Sequence, residues 1–170
     1  MRVNLGTVKD WTQSAAQESR KARGTAAAQR VGSMFTDPTL DRSKAVHSLA
    51  LKAILLVDDD KQLASTLQWI LADEDFLVDV AHDGEEAALK VKAHEYDAVV
   101  CDMMMPRLRG DEFYLKAREM RPELARRFIF ITGHPTDQNI NDFLSGNDVD
   151  YLVKPFPVQR LIKRVKDMLE

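Results

Sequence analysis

Residues 54–62 read ILLVDDDKQ, so Asp58, Asp59 and Asp60 stand directly behind four aliphatic side chains. Neighbouring carboxylates repel, and burying one is costly unless a cation or a hydrogen-bond donor lies close by. Three more polar groups close other apolar runs: Asp102 in AVVCD, Thr132 in FIFIT and Lys154 in YLVK. If the fold brings these ends together, Asp58, Asp59 and Asp102 form a hard-oxygen cage suited to Mg2+, which binds through a few carboxylates, carbonyls and waters. A hydroxyl and an ammonium opposite the cage are what the oxygens of a phosphoryl group need. The blander readings apply residue by residue. Asp60 is best read as the N-cap of the following helix. Asp102 could form a turn before Pro106, Thr132 could be a β-branched strand residue with a capping hydroxyl, and Lys154 a solvated lysine. Five such residues all at the ends of apolar runs favour a site over coincidence.

The elements that must carry them follow from the hydrophobic pattern. Short apolar runs at 53–57, 76–80, 98–101, 128–131 and 149–153 are mostly continuous in Val, Ile, Leu and Phe, which predicts strands buried on both faces. Between them lie helix-length segments at 63–72, 85–94, 111–120 and 137–144, with another at 158–169. Leu63, Leu67, Ile70 and Leu71 fall on one helical face. Alternation of this kind implies a doubly wound α/β fold, a (βα)5 unit with a mostly parallel sheet covered on both sides. Ligands of such sheets bind beyond the carboxyl ends of the strands, where the five polar groups are expected.

The chain has 170 residues, 45% hydrophobic and 30% charged, with a net charge of −3. Residues 1–50 carry eight Lys/Arg against four Asp/Glu, and residues 51–170 carry sixteen against twenty-three. The first segment is rich in Ala, Ser, Gln, Thr and Arg without an apolar stripe, and reads as a solvated basic tail, disordered or weakly helical over 9–31. A transit peptide, a nucleic-acid-binding arm and an over-extended start before Met34 are the alternatives for it. No apolar stretch reaches the ~18 residues of a membrane span, and the single cysteine, Cys101, cannot form an internal disulfide, so a cytoplasmic chain is expected.

VDDD, YDAVVCDMMMPRLRG, FIFITGH and YLVKPF, in this order and at this spacing, resemble the receiver domains of response regulators in two-component signalling. The resemblance covers 51–170 and implies a flavodoxin-like fold with a five-stranded parallel sheet in the order 2-1-3-4-5. It implies that Asp102 is the phosphoacceptor, taking a phosphoryl group from a histidine kinase or a phosphotransfer protein in a Mg2+-dependent reaction. Asp59 is similar to the direct metal ligand, Asp58 to its partner acting partly through water, and the backbone carbonyl of Met104 to the third protein ligand. Thr132 and Lys154 resemble the groups that contact the phosphoryl oxygens, Tyr151 resembles the switch aromatic that follows the threonine, and the bond before Pro155 is expected to be cis. The family signals through a face made by the fourth helix, fifth strand and fifth helix, so an effector protein or a homodimer partner is expected there. Such a domain is a signalling receiver, not an enzyme acting on other substrates.

Several features modulate this reading. Met104 and His134, two residues beyond Asp102 and Thr132, border the path of a hydrolytic water and are expected to tune dephosphorylation. Arg107, Leu108 and Arg109 make the loop after Pro106 unusually basic, and Gly110 suits a turn before the next helix. A phosphorylation-independent receiver-like module is the main alternative, although its hallmark is loss of a rim residue and all are present. A haloacid-dehalogenase-type phosphohydrolase would need Asp-x-Asp-x-Thr, which Lys61 and Gln62 do not supply. A nucleic-acid-binding protein lacks a motif here, a phosphohistidine at His47 lacks a matching context, and His82 and His94 lack metal spacing. No DNA-binding domain and no membrane segment are expected in this chain, and a receiver fragment of a larger hybrid kinase or regulator remains a further alternative.

Overall fold

The computed structural model describes residues 51–170. The expected tail over 1–50, its weak helix and His47 lie outside the described residues. Five strands alternate with five helices: β1 (Lys52–Val57), α1 (Lys61–Asp73), β2 (Phe76–Ala81), α2 (Gly84–Ala93), β3 (Ala98–Asp102), α3 (Gly110–Met120), β4 (Phe128–Thr132), α4 (Gln138–Asn147), β5 (Asp150–Val153) and α5 (Val158–Leu169). A short 3-10 turn, Leu124–Arg127, leads into β4 and was not legible as an element. The strands form one parallel sheet in the order β2-β1-β3-β4-β5, the doubly wound arrangement expected.

Alternation along the central strands divides the core into two layers. Leu55, Val57, Val99, Cys101, Phe128 and Phe130 face α2, α3 and α4, packing against Val91, Phe113, Tyr114, Ile140 and Leu144. Ile54, Leu56, Val100, Ile129 and Ile131 face α1 and α5, packing against Leu63, Leu67, Ile70, Leu71, Leu161 and Val165. Each such side chain contributes about 1.5–3 kcal/mol on leaving water. The helical stripe read in α1 is therefore the buried face.

Burial on both faces holds for β3 and β4, which are buried at every residue, but fails for β5, where only Leu152 is buried, and for β2. There Phe76, Val78 and Val80 are half-buried while Leu77 and Asp79 are exposed, because β2 is an edge strand covered on one face only. The expected strand at 149–153 begins at Asp150, and the helix expected at 137–144 runs from Gln138 to Asn147. It stops where Asp148 takes a left-handed conformation, φ 51°.

Candidate functional site

The parallel topology carries the ends of β1, β3, β4 and β5 to one rim. Register pairs Val57 with Cys101, Asp102 with Ile131, and Thr132 with Val153, so the residues that close these strands are neighbours. One oxygen from each of Asp58, Asp59 and Asp102 lies within 4.8 Å of the others. Asp58 is 1% exposed and Asp102 7% exposed, while Asp59 faces solvent. Asp60 is not part of this cluster. It caps α1, accepting the N–H groups of Gln62 at 2.9 Å and Leu63 at 3.1 Å, so one aspartate of the run serves the helix and two are left at the rim.

Lys154 approaches from β5. Its ammonium donates to Asp102 Oδ2 and lies 3.6 Å from Asp58 Oδ2, an ion pair too long for a hydrogen bond. The backbone there is held by the Lys154 N–H, which donates to the Thr132 carbonyl at 2.8 Å, and the Lys154–Pro155 peptide is cis. On its other oxygen Asp102 accepts the N–H of Met104 at 2.9 Å. Asp58 Oδ1 accepts the N–H of Asp60 at 2.8 Å, and the Asp58 carbonyl lies 3.3 Å from His82 Nδ1. Asp58 Oδ2, by contrast, has no hydrogen-bond partner, the one buried side-chain polar atom so placed among the described residues.

The electrostatics follow from that geometry. Burial pushes the Asp58 carboxyl up to about 6 against the pull of Lys154, with the Asp102 and Asp59 charges adding to the rise. Burial pulls the Lys154 ammonium down, but Asp102 and Asp58 outweigh it and leave that group above the ordinary lysine value. Three carboxylates against one ammonium leave the pocket deficient in positive charge. A buried carboxylate oxygen without a donor, beside two other carboxylates, suits a small hard cation.

The remaining residues singled out in the sequence lie around this cluster rather than in it. Thr132 is fully buried at the end of β4, and its hydroxyl accepts the N–H of His134 at 3.0 Å. Tyr151, on the neighbouring strand, is 45% exposed. Met104 and His134 are exposed at the rim. Gly110 is not a turn glycine. It is the first residue of α3 and has no positive φ, but a Cβ there would come within 2.5 Å of the Asp102 carbonyl oxygen, so the close approach of α3 to β3 demands it. The left-handed residue of this loop is Arg107, φ 67°.

Sequence reasoning missed Asp83. It is 4% exposed and caps α2 by accepting the N–H groups of Glu85 and Glu86, both at 2.9 Å, and its other oxygen receives the Arg107 guanidinium. The cap was open to recognition in the acid-rich first turn DGEE, but its partner is 24 residues away.

Comparison with known proteins agrees with this arrangement. The pattern of the response regulator receiver domain family matches residues 54–166. The response regulator ArlR of Staphylococcus aureus is 33% identical over 119 residues, an alignment covering 68% of this chain and 52% of that protein, so the chain spans about half the length of this curated relative. A receiver domain protein from Methanospirillum hungatei, described as CheY-like, superposes with a TM-score of 0.65 at 28% identity, covering 71% of this chain and 94% of that one. The response regulator TrrA of Thermotoga maritima, solved in complex with Mg2+ and BeF, does so with a TM-score of 0.63 at 31% identity, covering 70% of this chain and all of that one, 100%.

Proposed function

The chain belongs to the response regulator receiver family, and from that premise we propose that Asp102 accepts a phosphoryl group from the phosphohistidine of a sensor histidine kinase or a phosphotransfer protein. The observation that carries the proposal is the buried, donorless oxygen of Asp58 within a cluster of three carboxylates facing Lys154. The fold alone would not require it, since a buried carboxylate without a donor works against stability.

Asp58, Asp59, Asp102 and the carbonyl of Met104 are the groups that would hold Mg2+, which would offset charge on the transferred group. Asp102 Oδ2, the oxygen that faces Lys154, is the nucleophile. It needs no general base, because a carboxylate attacks phosphorus already ionised. Its Oδ1 is fixed by the Met104 N–H, so the carboxylate presents one defined edge to the donor. The bond from phosphorus to the donor imidazole nitrogen breaks as the bond to Asp102 forms. Lys154 exchanges its contact with the free carboxylate for one with a phosphoryl oxygen.

The new group then adds about 1.5–2 negative charges and three acceptor oxygens. The Thr132 hydroxyl, which accepts the His134 N–H, turns to donate to one of those oxygens. Space opens beside β4, and Tyr151 moves from its exposed position towards it, changing the face formed by α4, β5 and α5. An effector protein, or a second copy of the chain, reads that face. The 51–170 segment acts as the receiver unit, the 1–50 segment as an appended tail, and the reaction takes place in the cytoplasm; no helix among the described residues is long and apolar enough to cross a membrane.

Intact-mass measurement after treatment with acetyl phosphate and Mg2+ tests the assignment. Wild type gains one phosphoryl group, about 80 Da, and Asp102→Asn gains none. Label retained by the variant would refute Asp102 as the acceptor.

A further inference from the structure

The segment between β3 and α3 is clamped at several points, and one of them involves a side chain to which the reaction described above gives no role. Leu108 donates its N–H to the Pro106 carbonyl at 2.8 Å across Arg107, whose φ is 67°. An i to i+2 hydrogen bond over a residue of positive φ is the rare, strained form of γ-turn. Arginine has no intrinsic preference for that conformation, so something outside the turn must hold it. The holder is Asp83, whose carboxylate meets the Arg107 guanidinium. Arg107 itself is largely exposed, but Asp83 is buried and already fixed by the two N–H groups it caps at the start of α2. One fixed, desolvated partner distinguishes this pair from an ordinary solvated ion pair.

Two glycines allow the surrounding backbone to close around the pair. At Gly84 a Cβ would come within 2.7 Å of the Leu108 carbonyl, so the loop lies directly on the first residue of α2. At the other end the Gly110 N–H donates to the Met103 carbonyl at 3.1 Å. Between these anchors the Met104 N–H holds Asp102 Oδ1, so displacement of the loop turns the Asp102 carboxylate.

We propose that Arg107 is a positioning residue: its pair with Asp83 staples the β3–α3 segment to the start of α2 and so holds the Asp102 carboxylate in its reactive orientation. The proposal rests on the reading of Asp102 as phosphoacceptor. A misplacement of the order of 1 Å at a reacting group is enough to slow a reaction by as much as about 100-fold, and a loosened loop costs part of that.

The test follows the rate of labelling of the full chain by acetyl phosphate at saturating Mg2+, with thermal midpoints measured alongside. Arg107→Gly removes the side chain while tolerating the positive φ, and Asp83→Asn keeps a capping oxygen while removing the charge. Each slows labelling about 5- to 10-fold, and the double variant is no slower than either single one, because the two substitutions remove the same contact. Arg107→Lys, which keeps a cation, recovers to within about two-fold of wild type. Lys52→Met, which breaks the ion pair with Asp97 at the opposite end of the sheet, leaves the rate unchanged. Wild-type rates in both single variants, or additive losses in the double, would overturn the staple even if the midpoints fall. Absence of label on wild type would instead overturn the phosphoacceptor reading, and the staple with it.

Discussion

Asp97 and Asp102 bracket the same strand, one at the amino end of the sheet and the other at the carboxyl end, and their surroundings differ in kind. At the amino end Asp97 Oδ2 accepts the Ala53 N–H at 2.9 Å, and Oδ1 lies 3.2 Å from Lys52 and 3.9 Å from Arg127. One carboxylate meets a backbone donor and two cations, and β1 is tied to the entry of β3. At the carboxyl end Asp58 and Asp102 share Lys154 with Asp59 clustered beside them, and one buried oxygen of Asp58 meets no donor. The amino end satisfies its charge within the chain, whereas the carboxyl end gathers three carboxylates against one ammonium, an arrangement that suits a small hard cation. The difference separates an aspartate that supports the fold from aspartates that the fold supports.

Replacing Asp58 tests that distinction most strongly. Its carboxyl is raised to about 6 from an ordinary value of 3.8, so the folded chain binds this proton more tightly than the unfolded chain does. In metal-free buffer stability is therefore unaffected by Asp58 below about pH 4, falls as pH rises between about 4 and 6, and stays lowered above that. A rise of about two units corresponds to roughly 3 kcal/mol, and an asparagine whose amide meets Lys154 recovers only part of it. Asp58→Asn should accordingly be more stable than wild type by about 1–3 kcal/mol at pH 7 and no more stable at pH 3.5. Denaturant midpoints at the two pH values check it. A destabilised variant at pH 7 would mean that Asp58 supports the fold after all.

The amino end should respond in the opposite direction. Asp97→Ala leaves the Ala53 N–H without its charged acceptor and frees two cations, of which the largely solvated pairs matter little. A loss of about 1–2 kcal/mol is expected, with labelling of Asp102 by acetyl phosphate unchanged. Urea melts and labelling rates measured on the same preparation check both halves, and a slowed reaction at wild-type stability would break the contrast.

The rim was legible in the sequence because its chemistry coincides with the strongest pattern in the chain. Continuous apolar runs such as ILLV and FIFI place strands without reference to anything distant, and each ends in a polar residue where a parallel sheet collects its ligands. Asp60 could be separated from Asp58 and Asp59 because capping is local. The second apolar-rich run, FLVDVA, was legible as a strand but not as an edge, since its half-buried alternation depends on which neighbours the sheet provides. Gly110 suggested a turn because glycine usually signals a conformational need, but here the need is space beside the Asp102 carbonyl, set by the packing of α3 on β3. The Arg107–Asp83 pair was hidden for a similar reason: nothing local in DGEE or PRLRG names a partner 24 residues away.

Met104 sharpens the comparison at smaller scale. If the carboxyl end is shaped for the lifetime of a phosphoryl group rather than for stability, then changing its exposed apolar residue should alter chemistry and leave the fold alone. The Met104 side chain is 41% exposed, and what ties the residue to Asp102 is its backbone N–H, which any replacement but proline retains. Hydrolysis requires a water in line with the bond from phosphorus to Asp102. A thioether is only a weak acceptor and cannot orient that water, whereas an amide offers both a donor and an acceptor. His134, also exposed at the rim, is followed by Pro135 and has its backbone N–H engaged by the Thr132 hydroxyl. Wild type is therefore expected to lose its phosphoryl group slowly. Met104→Asn should do so several-fold faster, a change of about 1 kcal/mol in the barrier, with stability within about 0.5 kcal/mol of wild type. Phosphate release from the two labelled proteins decides it: equal or slower release from Met104→Asn would show that the side chain at this position does not set the lifetime.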